Sequence, residues 1–360
     1  MKLRFLFAFA FSVLLIAGST TASADYVMIL PLQYNAYQPV SARAVGLGDS
    51  WGAQPGLAAL FANPTALPAA AGIHAELTAS GMSAFQSHGI ITTEGSSAIP
   101  GVIAAGWSVG NNTLAVGLRR AMRAELAFPD PVRPQVAERM AVDIDQARGG
   151  WCIRLAGRFR LGLALGYDRA MLDWRDTISQ LAHTSITSEN YALGCQAEIW
   201  RGLDAGLYYQ SKTNFDGQTA FTYRDTLRTL RLLGGEPAVT GFTARYQLDS
   251  GLVLSGQAEL TGWQSVTEGY LGTLDWHFGA ELDALPGVLT LRAGAASLLT
   301  PLDNPLRQDR PDLHNLYFLT LGAGLRYWRI RADLGVASSY PLSGKGLNQN
   351  MVALTLGYSQ

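Results

Sequence analysis

Five histidines, His74, His88, His183, His277 and His314, are the side chains best suited to proton transfer near neutral pH in this 360-residue chain. Serines and carboxylates are plentiful, so a Ser-His-acid hydrolase is the first chemistry to weigh. No histidine stands in a context that marks it as a base. His277 shares one face of an alternating segment with Asp275 and Glu281, an arrangement that suits a hydrated charge network. The two cysteines, Cys152 and Cys195, have no second cysteine or histidine at ligand spacing, so no metal site is expected. Their alternation puts Cys152 with a polar set and Cys195 with an apolar one, which argues against a disulfide. Gly46-x-Gly48 opens like a dinucleotide loop, but Trp51 occupies the place of the third glycine and no strand precedes it. The expectation is a chain without catalytic residues or cofactor, and not an enzyme.

The elements that position these residues are strands. Glycine is abundant (39), charged residues make up 15% and aromatics 10%, and the net charge of −1 offers no cationic surface for nucleic acid. Lys2 and Arg4, an apolar run from Phe5 to Ala17 and the small residues Ala22 and Ala24 read as a secretory signal peptide over residues 1–24. No later apolar run is long enough for a membrane helix. From about residue 73 the sequence becomes segments of some ten residues in which apolar and polar or tiny residues alternate. Tyr317, Leu319, Leu321, Ala323, Leu325 and Tyr327 fall on one face, against Phe318, Thr320, Gly322, Gly324 and Arg326 on the other. Ten steps of ~3.3 Å at a tilt near 45° project onto roughly 23 Å, close to the ~25 Å apolar band of outer-membrane barrels.

Charged residues keep to the side opposite the apolar row: Arg154, Arg158, Arg245 and Arg331, with Asp168, Glu198, Asp204, Glu259, Asp275, Glu281 and Asp333. On the lipid side each would cost about 2–4 kcal/mol. Both signs are present, so a rigid network is expected and ion selectivity is not. Fourteen segments are counted: 73–84, 99–110, 112–122, 149–160, 161–174, 190–200, 202–215, 237–248, 251–264, 271–283, 288–298, 315–328, 329–340 and 350–358. Tight turns alternate with longer loops at 123–148, 175–189, 216–236, 299–314 and 341–349. Residues 25–72 lack the two-residue period; 56–62 reads as a turn or two of helix stopped by Asn63-Pro64. The expected organisation is a signal peptide (1–24), an N-terminal plug or hatch (25–72) and an all-β transmembrane antiparallel barrel of about fourteen strands (73–360) in the bacterial outer membrane.

Two motifs carry a resemblance. Ser41-Ala42-Arg43-Ala44-Val45-Gly46-Leu47-Gly48-Asp49-Ser50 and then Leu57-Ala58-Ala59-Leu60-Phe61-Ala62-Asn63-Pro64-Thr65 resemble the N-terminal signature of FadL-like and PorV-like outer-membrane proteins. Thr65 stands where that signature has alanine, and Leu47 where it has methionine. The resemblance implies a fourteen-stranded barrel with its N-terminal segment folded inside, Arg43, Gly46, Gly48, Asn63 and Pro64 being the plug motif. For a FadL-like member it implies uptake of fatty acids or hydrocarbons. Leu57, Leu60, Phe61 and Leu67 are then candidate ligand contacts, and Gly106, Gly110 or Gly117 the candidate kink at a lateral opening. For a PorV-like member it implies a scaffold for a secreted protein partner, with no solute crossing. In either case outer-membrane lipid is the surrounding partner.

Overall fold

The computed structural model describes residues 26–29, 40–88, 91–129, 137–175, 180–223, 226–266, 271–299, 315–343 and 347–360. The expected signal peptide and His314 lie outside them. Seventeen strands are present among these residues: β1 (Tyr26–Ile29), β2 (Gly72–His88), β3 (Ile91–Val109), β4 (Asn112–Pro129), β5 (Ala137–Leu155), β6 (Phe159–Arg175), β7 (Gln180–Trp200), β8 (Leu203–Gln210), β9 (Phe215–Tyr223), β10 (Thr226–Gly234), β11 (Ala238–Gln247), β12 (Leu252–Gly262), β13 (Thr273–Leu285), β14 (Leu289–Leu298), β15 (Leu316–Tyr327), β16 (Ile330–Ser338) and β17 (Leu347–Ser359). Fourteen of them, β2 to β8 and β11 to β17, form a closed antiparallel barrel in which β17 pairs with β2. Each of the fourteen segments read from the sequence corresponds to one wall strand.

The alternation sorts the two faces as expected. On β15, Leu319, Leu321 and Leu325 are exposed on the outer face, Leu321 by 62%, while Phe318 and Thr320 are buried inside. At one end the strands are joined by tight turns, several carrying a glycine at positive φ, as at Gly110 (57°) and Gly287 (73°). Short turns mark the periplasmic end of such barrels and longer connections the outer end.

At the outer end the structure corrects the sequence reading. The stretches 123–148 and 175–189, expected as loops, are largely strand: β4 reaches Pro129, β5 starts at Ala137, β6 reaches Arg175 and β7 starts at Gln180. The reason is an inversion of polarity. Along β6 the outward residues are Leu161, Leu163, Leu165 and Tyr167, then Arg169, while inward Asp168 is followed by Ala170, Leu172 and Trp174, all buried. Above the lipid the outer face meets water and the inner face packs on protein, so the pattern expected of a lipid-bathed strand reverses. What packs there is 216–236, also expected as a loop. It forms the β9–β10 hairpin, which β1 joins in parallel, Tyr26 opposite Leu230. Gly217 of β9 lies against the Ile186 side chain on the inner face of β7.

Residues 40–71 run inside the wall. They hold a five-residue helix, α1 (Ala42–Gly46), and three short 3-10 turns at Trp51–Ala53, Leu57–Phe61 and Pro64–Ala66. The expected helix over 56–62 is thus the tighter 3-10 form, and Asn63-Pro64 starts a new turn instead of ending a helix, because the Asn63 side chain caps it by accepting from Thr65 N.

Candidate functional site

The inner segment is bonded to the wall on most sides. The Ser41 hydroxyl caps α1 by accepting from Ala44 N, and Ala42 N donates to Thr355 Oγ1 at 2.8 Å. Gly48 N donates to Thr320 Oγ1 (2.9 Å), Gly52 N to Gln257 Oε1 (2.8 Å) and Leu57 N to Glu76 Oε2 (3.1 Å). The Phe61 carbonyl accepts from both Arg148 Nη1 (2.8 Å) and Gln210 Nε2 (2.7 Å), and the Pro68 carbonyl from Ser108 and Thr113. Backbone donors and acceptors that regular structure leaves open are thereby paired with wall side chains, as burial requires. Cys152 is buried, with Sγ 3.6 Å from the Thr65 carbonyl, and both cysteines are free.

Every residue of the expected plug motif has a structural task. Arg43 donates to Glu281 from Nη2 (2.6 Å) and Nε (2.9 Å); Glu281 also accepts from Arg292 Nε (2.6 Å), and Arg292 pairs with Asp333 (2.8 Å). Gly46 meets Gly322, where a Cβ would come within 2.9 Å of that Cα. Gly48, at φ 66°, lies under the carbonyls of Phe278 and Ala295, at 2.3 and 2.4 Å from its hypothetical Cβ. Asn63 Nδ2 donates to the Gly52 carbonyl, tying two turns together, and the Pro64 peptide rests on Gly162.

The wall reciprocates with inward glycines. A Cβ at Gly279, Gly294 or Gly335 would strike backbone atoms of Leu47, Gly48 or Ala42 at 2.6, 2.3 and 2.2 Å. Those three glycines and Arg292 escaped the sequence reading; their signal was a glycine or lone charge at mid-strand on the inward parity. His277 bonds the Gly48 carbonyl through Nδ1 (2.9 Å) and lies 3.6 Å from Glu259, which Tyr208 and Gln257 also bond. The sequence reading grouped His277 with Asp275 and Glu281 in a hydrated network; here His277 is buried and its partners are Gly48 and Glu259, while Asp275 bonds Ser297 and Leu299 N and Glu281 bonds Arg43 and Arg292.

Leu57, Leu60, Phe61 and Leu67 are fully buried in one cluster with Val102, Ala104, Ala115 and Ala164. Gly106 and Gly117 face them: a Cβ at Gly106 would lie 2.7 Å from Leu57 Cδ2, and at Gly117 3.1 Å from Leu60 Cδ2. Gly110 sits in the periplasmic β3–β4 turn, with open space around it. Gly106-Trp107-Ser108-Val109-Gly110 has the spacing of a nucleophile elbow, a match that the sequence reading wrongly took to be absent. It runs from strand into a tight hairpin instead of a helix, and Ser108 Oγ is bonded to Pro68 O and Thr113, so it is not an elbow.

Close by, two neighbouring strands part. β3 pairs with β4 only over Val102–Val109, the last pair being Val102 with Arg119. Beyond it β3 continues paired to β2 as far as Ile91, and β4 to β5 as far as Pro129. Among the described residues no β3–β4 pair lies above that level. The β2–β3 register also shifts there, between Leu77 and Ala79, and Pro100, having no N–H to give a ladder, lies just beyond. Outward Ile103 and Leu118 are more than half exposed, and the Arg120–Asp145 ion pair follows directly above. The parting therefore starts where the outward residues change from apolar to charged.

A closed fourteen-stranded barrel with a chain segment bonded inside it defines the FadL-like fold of membrane barrels. Solved structures bear this out at the level of the fold. A FadL homologue of Pseudomonas aeruginosa superposes with a TM-score of 0.72 at 14% identity, covering 90% of this chain and 99% of that one. A deletion mutant of the monoaromatic hydrocarbon channel TodX gives 0.69 at 14% identity, covering 91% and 99%. The Ralstonia pickettii toluene transporter TbuX gives 0.62 at 13% identity, covering 91% and 98%. No family profile and no curated protein matches the chain.

Proposed function

We propose that this chain is an outer-membrane channel for hydrophobic small molecules, fatty acids or hydrocarbons, which leave the lumen sideways between β3 and β4. The parting above Val102 and Arg119 is the observation that carries this reading. Straight passage would require the inner segment to move, and its glycine contacts and buried bonds oppose that; it acts as a fixed hatch. A solute entering from outside is then turned toward the wall at the level of the buried Leu57, Leu60 and Phe61 cluster, beside the parting strands. The likeness to hydrocarbon channels supports the same reading at the level of the fold.

The test closes the parting. In a background lacking the two native cysteines, cysteines at Gly101 and Arg120, one step beyond the last ladder pair, are joined by a short bis-maleimide in whole cells. Uptake of labelled toluene and of a long-chain fatty acid is expected to fall on cross-linking and to persist in either single-cysteine variant. Unchanged uptake in the cross-linked barrel would overturn the lateral route; no uptake by the unmodified barrel would overturn the transport reading.

A further inference from the structure

Three inward residues share one row of the wall near its periplasmic end: Arg331 of β16 lies opposite Gly357 of β17, and Gly357 opposite Glu76 of β2. Two opposite charges thus stand two strand spacings apart at the backbone, ~9.6 Å, with no side chain between them. A Cβ added at Gly357 would find its nearest neighbour, the Ala75 carbonyl oxygen, only at 3.9 Å. Both charges are fixed from the side: Arg331 Nε donates to Asp333 at 2.6 Å, and Glu76 Oε2 accepts from Leu57 N at 3.1 Å. Among the described residues no ion pair joins Arg331 to Glu76.

The inner segment covers this row without filling the space. A pocket of about 70 Å³ remains, bordered by Arg43, Trp51, Gln54 and Pro55 on one side and by Arg331 and Glu76 on the other. At ~10–15 Å³ for each water-sized occupant, that is room for about five to seven non-hydrogen atoms. Pro55 is exposed and the Arg331 side chain is 34% exposed, which gives the pocket a mouth. Gln54 is only 5% exposed, and neither its amide oxygen nor its amide nitrogen has a hydrogen-bond partner among the described residues. A buried amide left open at both ends is costly, and it calls for a partner that both donates and accepts.

We propose that this pocket binds a small zwitterion, an α-amino acid of glycine to serine size. Its carboxylate lies toward Arg331 and accepts from the Gln54 amide nitrogen; its ammonium lies toward Glu76 and donates to the Gln54 amide oxygen. The occupant is argued from charge and size. Fixed charges of both signs border one small space, so a simple anion or cation would meet one of them and leave the other. A zwitterion meets both, and both open atoms of Gln54, at once. Such charge-assisted hydrogen bonds are roughly twice as strong as neutral ones, and they form where little water screens them. Glycine, alanine and serine match the room in non-hydrogen atoms, whereas leucine exceeds it. The inference rests on this pocket and not on transport.

The purified barrel, its folding checked by heat-modifiable migration, is titrated calorimetrically with glycine, alanine, serine, leucine, acetate and methylammonium. Glycine, alanine or serine is expected to bind at least tenfold more tightly than leucine, acetate or methylammonium. Gln54→Leu puts an apolar group of similar size where the amide has no partner, so the barrel still folds, and its affinity for the amino acid is expected to fall at least tenfold. The same loss is expected in Arg331→Gln, which leaves Asp333 its bond from Arg292 at 2.8 Å, and in Glu76→Gln, which leaves Leu57 N an acceptor. An unmodified barrel that binds none of the amino acids, as it would if water alone fills the pocket, overturns the proposal. So does acetate binding as tightly as glycine, or a Gln54→Leu barrel of unchanged affinity.

Discussion

Replacing Glu281 by glutamine removes a carboxylate that two guanidiniums share inside the barrel. Arg43 reaches it through two nitrogens, at 2.6 and 2.9 Å, and Arg292 through Nε at 2.6 Å. Side-chain exposure is 13% for Arg43, 9% for Glu281 and 2% for Arg292, so water compensates little. Removing one partner of a buried pair costs about 3–5 kcal/mol. Among the described residues Arg292 keeps Asp333 at 2.8 Å, and Arg43 keeps a hydrogen bond to the Pro55 carbonyl at 3.3 Å and the nearby charges of Asp333 and Glu76, which sets the expected loss at the lower end, about 3 kcal/mol. Arg43→Met is the control: Glu281 then still holds Arg292, and the loss should be nearer 1.5 kcal/mol, that of a hydrogen bond to a charged group. Both are measured by guanidinium unfolding of the purified barrel in phospholipid vesicles, followed by tryptophan emission and extrapolated linearly. A Glu281→Gln loss under about 0.5 kcal/mol, or a larger loss for Arg43→Met, would refute the view that this charge fastens the inner segment to the wall.

Gly335→Val places a side chain where a Cβ lies 2.2 Å from the Ala42 carbonyl, so α1 must retreat and release Thr355; a destabilisation of about 3 kcal/mol is expected in the same assay. Gly110→Ala, in open space at φ 57°, should cost only the left-handed backbone strain of about 1–2 kcal/mol and leave the barrel intact. On the outer hairpin, the hydrogen-bonded Arg231 guanidinium holds the Asp216 carboxyl below its ordinary value. The pair therefore contributes fully above the unfolded value of about 3.9 and is lost as pH falls through the depressed one, and Arg231→Gln should return the carboxyl resonance midpoint to about 3.9. Cys152, buried beside Thr65, should resist maleimide in the folded barrel and react once it is unfolded.

The wall was legible wherever lipid dictated it. Leu161, Leu163 and Leu165 on β6, or Leu319, Leu321 and Leu325 on β15, alternate with small or polar residues because neighbouring side chains on a strand face opposite media. Above the bilayer the cue fails. Asp143 and Asp145 point outward and Val142 and Ile144 inward on β5, the reverse of the lipid-bathed pattern, and the outer ends of β4, β5 and β7 and the β9–β10 hairpin read as loops. In the candidate site, Arg43, Gly46, Gly48, Asn63 and Pro64 stood out as a motif, yet nothing in their spacing named Glu281, Gly322 or Gly162 as their partners.

The number of wall strands, the lipid-facing side and the want of a two-residue period over 25–72 follow from the sequence alone, because alternation is a local response to two solvents and its absence is equally local; that Tyr26–Ile29 leaves that segment to pair with β10 did not. Which wall glycine meets which turn, how Arg43, Glu281, Arg292 and Asp333 share charge, and where β3 and β4 part were decided only by the closed barrel. Those features join residues as many as 313 positions apart, as Ala42 and Thr355 are, and no local period records such a distance.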